Sequence, residues 1–139
     1  MDRKLCIFSI LSVSLLALIM GGCRTPVEPE TPDYVEYGWE LMADTSYRAA
    51  IVQFEAGIEA GTELDPSYID GWNGLGWAYA RLGAADTSNQ RFITASTVPD
   101  TSSDTSAVAV ATEILAGRSF ARLALGQFSG TVDDAKGAL

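Results

Sequence analysis

The 139-residue chain contains no histidine. This removes the commonest general base and the commonest metal ligand. Cysteine is almost as scarce: Cys6 and Cys23 are the only two. Ser-His-Asp and Cys-His arrangements and zinc sites are excluded by inventory. Lysine occurs only as Lys4 and Lys136, and basic residues number 9 against 18 acidic ones, a formal net charge of −9. An acidic surface repels phosphate backbones, so nucleic acid is not an expected partner. No stretch alternates apolar and polar residues as a half-buried strand does. The run Asp100–Asp104 loosely suggests a calcium loop but lacks the glycine and terminal glutamate such a loop needs. Paired carboxylates can hydrolyse sugars, but nothing here positions two of them. The chain is therefore expected not to be an enzyme, and to carry neither metal nor cofactor.

What is present begins with a leader. Arg3 and Lys4 precede an apolar run from Leu5 to Met20, followed by Gly21, Gly22 and Cys23. Basic, then apolar, then small describes a secretory signal peptide over residues 1–22. The apolar run is shorter than the about 20 residues a spanning helix requires. Gly21-Gly22-Cys23 resembles the lipobox of bacterial lipoproteins, with Met20 where that family favours leucine. The resemblance implies cleavage before Cys23 and acylation of that cysteine. Two or more acyl chains give stable anchoring. Arg24 follows, where an aspartate would be the family's inner-membrane retention signal. The expected location is the outer membrane, with the protein lipid-anchored and facing the periplasm. Removal of the leader takes away Asp2, Arg3 and Lys4, one acid and two bases, and so moves the net charge from −9 to −10. No disulfide is then left, despite an oxidising destination.

Residues 23–33 form the acylated cysteine and a Pro-rich, acidic tether, extended at about 3.1 Å per residue. Residues 34–139 form the domain, and helical signals begin at about Thr31. Thr31 reads as a cap with Pro32 at the first helical position. Asp44 or Thr45 reads as the cap of a second helix, with Tyr47, Ala50, Ile51, Phe54 and Ile58 on one face and Gly61 as its stop. Asp65-Pro66 opens a third helix, with Tyr68, Trp72, Leu75, Gly76, Tyr79 and Leu82 on a face ended by Gly83. Asp86 or Thr87 would cap a shorter helix containing Phe92 and Ala95. Residues 96–106 read as a loop, a long helix runs from about Ser106 to Leu125, and a sixth starts at Thr131. Asp133 and Asp134 read as favourable charge at that helix's N-terminus.

A motif recurs along this pattern. Gly38-Trp39, Gly76-Trp77 and Gly117-Arg118 stand 38 and 41 residues apart, each pair within an apolar helical stretch. A glycine inside a helix costs about 1 kcal/mol against alanine. Its return in one register points to a close helix crossing that excludes a side chain, with Ala50 as a small matching contact and aromatics filling the space between helices. Trp72-x-x-Leu75-Gly76-x-x-Tyr79 resembles the first-helix signature of the tetratricopeptide repeat (TPR). Tyr34, Tyr37, Gly38 and Leu41, with Tyr47, Ala50 and Phe54, make an upstream copy, and Ala116, Gly117, Phe120 and Phe128 a third. The resemblance spans roughly residues 31–139. It implies an all-α fold of antiparallel helix-turn-helix repeats, stacked as a short right-handed α-solenoid of about three units, the last incomplete. The units are longer than the family's about 34 residues, which implies longer turns. Solenoids end in a polar capping helix, and none is evident after the third unit. This points either to a fragment of a longer protein or to an end covered by a partner or a second copy.

In that family the first helices line a concave surface that holds a peptide or helix. The residue after each glycine is expected to face it: Trp39, Trp77 and, less securely, Arg118, with Val35, Asn73 and Arg81 one turn away. Tryptophan, tyrosine and arginine are favoured interface anchors. The candidate partner-binding residues are therefore Trp39, Asn73, Trp77 and Arg81, beside the lipidation site Cys23. The alternative for the tryptophans is that both are core. The expected function is a membrane-anchored interaction module in the cell envelope, an adaptor or assembly scaffold for a protein or peptide partner. Two other classes stay open: a lipoprotein that stacks a glycan or small ligand on the tryptophans, and a structural lipoprotein that self-associates through its C-terminal end.

Overall fold

The computed structural model describes residues 29–62, 65–99 and 105–139. The leader, Cys23 and the Asp100–Asp104 run lie outside the described residues. Six helices follow one another: α1 (Thr31–Ala43), α2 (Tyr47–Ala60), α3 (Pro66–Arg81), α4 (Ala85–Thr97), α5 (Thr105–Ala124) and α6 (Phe128–Gly137). Among the described residues there is no strand, and no helix is long and apolar enough to cross a membrane.

Each helix packs on the next, and α1 also touches α3, as α3 touches α5. The second helices α2, α4 and α6 make no such contact with one another. The all-α chain is therefore compatible with a helical repeat solenoid in which the odd-numbered helices form the continuous layer. A stack whose odd helices touch while its even helices splay curves toward the odd side.

The core explains the recurrent glycines. Phe54 of α2 is fully buried, and so is Phe92 of α4. A methyl group placed on Gly38 would stand 2.5 Å from the Phe54 ring, and one on Gly74 would stand 2.4 Å from it. Gly76 stands in the same relation to Phe92, at 2.5 Å, and Gly117 meets the same ring from the other side. Each phenylalanine is thus clamped between glycines of two successive units. Two apolar clusters result, one around Val35, Ala50, Phe54 and Leu75, the other around Phe92, Ala95, Ile114 and Ala121. Trp72 packs against both.

The turns inside the units also repeat. Thr45, Gly83 and Gly126 have φ of 59°, 76° and 72°. In each turn the next residue's N–H reaches back to the last turn of the preceding helix: Ser46 to Leu41, Ala84 to Tyr79 and Gln127 to Arg122, at 2.8, 3.0 and 2.9 Å. This is the left-handed helix ending that satisfies otherwise orphaned carbonyls.

Several helix starts differ from the sequence reading. Glu30, not Thr31, is the N-cap of α1, and its N–H donates to the Asp33 carboxylate at 3.0 Å. The last three residues of the expected tether are therefore helical, and Thr31 is buried. The N-cap of α2 is Ser46, because Thr45 occupies the left-handed position. α4 starts at Ala85 and α6 at Phe128, with Ala84 and Gln127 as N-caps that make no side-chain bond. Here the left-handed turn sets the start, with no polar cap.

Candidate functional site

Trp39 follows Gly38 on α1. Its indole meets the Phe54 ring edge-on, with centroids 5.3 Å apart and planes at 70°. Its Nε1–H donates to Asp70 Oδ2 on α3 at 2.8 Å. Trp77 repeats the arrangement against Phe92 at 5.6 Å and 82°, and lies 6.2 Å from Phe120 of α5. Edge-to-face pairs of this kind stabilise by about 0.5–1.5 kcal/mol beyond their area. Both indoles are half-buried, one side on the core. Their other side borders a cavity of about 660 Å³, lined by Trp39, Met42 and Tyr47 of the first pair, Trp77 and Arg81 of α3, and Glu113 of α5. Core and groove are thus not alternatives for these side chains.

Three of the four sequence candidates, Trp39, Trp77 and Arg81, come together in the groove wall. Asn73 does not. It is fully buried, because α3 is covered by α1 on one side and α5 on the other. Its Nδ2 donates to Asp70 Oδ1 at 3.3 Å and to Glu113 Oε2 at 3.0 Å, so it braces the wall and cannot face a partner. Val35 is likewise core, not groove. Arg118 turns away from the odd-helix surface. Its Nε donates to Asp134 Oδ2 at 3.0 Å and its Nη1 to Ser96 Oγ at 3.1 Å. Asp134 also accepts from Arg122 Nη1 at 2.8 Å. The expected role of Asp134 as terminal helix charge fails because α6 begins at Phe128, three residues before the expected Thr131, which puts Asp134 inside the helix, where it is buried.

Asp70 links the wall together. Burial pushes its carboxyl above the ordinary 3.8, the bonds from Trp39 and Asn73 oppose that, and the negative Glu113 adds to it. Asp70 and Glu113 escaped the sequence reading, and Met42 and Tyr47 were not expected in the groove. Asp70 was recoverable, since it lies seven residues before Trp77 and so on the same face of α3. Glu113 depended on how α5 lies against α3, which no local pattern encodes.

Rigid aromatic faces, one guanidinium and one carboxylate surround an open groove, and among the described residues no group of three or more histidine, cysteine or acidic side chains could hold a metal ion. No protein-family model matches the chain, and no curated protein matches it.

Proposed function

We propose that the chain is a tetratricopeptide-repeat-like lipoprotein of the bacterial cell envelope, anchored through Cys23 and acting as an adaptor or assembly scaffold. Its partner is a protein or peptide held in the groove between α1, α3 and α5. The observation that carries this reading is the pair of indoles, each braced by a buried phenylalanine, on one wall of a 660 Å³ cavity. Aromatic anchors held in place lose little freedom on binding, which is the usual condition for an interface hot spot. The test is a pull-down with the lipidated protein in its own membrane, beside a Trp39→Ala/Trp77→Ala variant whose helicity is intact by circular dichroism. A partner retained equally by both would sink the groove reading. Cys23→Ser should release the protein from the membrane fraction; a variant that still sediments with membranes would remove the anchor.

A second reading has its own observation. Leu123, Phe128 and Val132 are 50, 66 and 51 % exposed on the last helix pair, and exposed apolar side chains that gather into a patch favour self-association. It predicts a mass that rises with concentration in sedimentation and falls to that of one chain in Phe128→Glu/Val132→Glu.

A further inference from the structure

We infer that the groove selects a partner segment carrying a lysine or arginine side chain, whose cationic head lies on the indole faces with Glu113 as its counter-ion. The inference rests on the groove reading above and specifies the chemistry of its occupant.

The first support is the charge around the groove. Glu113 is in the wall and Asp70 is one hydrogen bond beneath it. On α1, Glu36 is exposed and lies three residues before Trp39, on the same face by helical register. Arg81 is the single basic side chain in the wall. Within the wall Glu113 stands against Arg81; Asp70 beneath it and Glu36 beside Trp39 tip the surroundings to the acidic side, which opposes an acidic segment and attracts a basic one. The chain as a whole, at net −9, adds to the same field.

The second support is that Glu113 forms no ion pair among the described residues. Among the described residues the ion pairs are Arg118–Asp134 and Arg122–Asp134. Glu113 instead accepts one bond from the neutral Asn73 amide. That bond orients its carboxylate from below, at the groove surface.

The third support is the orientation of Trp39. Its indole N–H is taken by Asp70, so Trp39 lines the groove with its ring and no free side-chain donor. An indole face attracts a cation through its quadrupole. The apolar stem of lysine or arginine can then run along Met42 and Tyr47 while the head stays near water.

The test is calorimetric titration of the full-length chain in nonionic detergent with a short capped peptide alternating leucine, lysine and serine, beside its glutamine and glutamate counterparts. The lysine peptide should bind saturably, about tenfold more tightly than the glutamine one, with no binding of the glutamate one. Glu113→Gln keeps the acceptor for Asn73 and should weaken the lysine peptide about tenfold, bringing it to the level of the glutamine peptide. Equal binding of lysine and glutamine peptides, both lost in Trp39→Ala/Trp77→Ala, would overturn the cation preference and leave the groove standing. Lysine-peptide binding that survives the double variant would overturn both. No binding of any peptide, or preference for the glutamate one, would also overturn the inference.

Discussion

A methyl group on Gly76 would stand 2.5 Å from the Phe92 ring, and the ring has nowhere to go because Gly117 holds its far side. Alanine is the better helix former by about 1 kcal/mol, yet overpacking a filled core costs about 1–3 kcal/mol. Gly76→Ala should therefore lower the stability measured by urea unfolding. Gly71→Ala, whose added methyl would meet Ile58 Cγ1 at 3.1 Å and ask that side chain to give by a few tenths of an ångström, should cost less than Gly76→Ala. The sequence had indicated that a side chain was excluded at Gly38, Gly76 and Gly117. It pointed to a close crossing of helices, whereas the excluding group is an aromatic ring sixteen residues downstream of Gly38 and of Gly76. Register alone cannot say whether backbone or side chain fills a gap. Asp70 gives a second test at this scale. Because burial raises its carboxyl above the ordinary 3.8, the folded state holds that proton more tightly than the unfolded one. Its contribution to stability is thus most favourable at low pH and declines as pH rises through the window just above 3.8. The stability difference between the parent and Asp70→Asn, followed by thermal melts across that window, should shift toward the variant as pH increases. A flat difference would show that the carboxyl is not perturbed.

The helices themselves were legible because apolar residues return at three and four, and their ends because Gly83 and Gly126 stop them. The starts of α4 and α6 were not. Sequence signals reward Ser, Thr or Asp at a cap, and these helices start on Ala84 and Gln127 directly after a left-handed residue. The first unit uses Thr45 where the others have glycine, and a β-branched residue at φ 59° is strained. Thr45→Gly should raise the melting point, worth about 1 kcal/mol. The third unit differs in chemistry. Where the first two place Trp39 on Phe54 and Trp77 on Phe92, it places Arg118 on Asp134. Removing the buried partner of an ion pair is costly, but the side chains of Arg118 and Arg122 are 18 and 23 % exposed and can regain water. Asp134→Ala should therefore cost about 2 kcal/mol. Hydrogen exchange should show the loss first in α6.

At the scale of the molecule, the odd helices form one surface and the even helices do not touch one another. Three of the four candidate groove residues were readable because successive units place equivalent positions on that surface. Asn73 was misjudged because a central unit has neighbours on both sides. Contacts across the stack also decide how it melts. Phe92→Ala removes the side chain that fills the space beneath Gly76 and Gly117 at once, and a buried Phe→Ala change costs about 3–5 kcal/mol. Calorimetry of that variant should replace one cooperative transition by two, since α5 and α6 lose their hold on the rest. A single sharp transition at lower temperature would mean that the remaining contacts suffice.

The clamping of Phe54 between Gly38 and Gly74 also sets an order of events during synthesis. A chain emerging N-terminus first can pair α1 with α2, but half of the Phe54 ring stays wet until α3 arrives to cover it. The first unit therefore has no finished state of its own to rest in. Phe92 passes the same dependence to α5, so folding of each pair waits on the next one, and any delay in the chain's emergence leaves one bare aromatic ring at its leading edge.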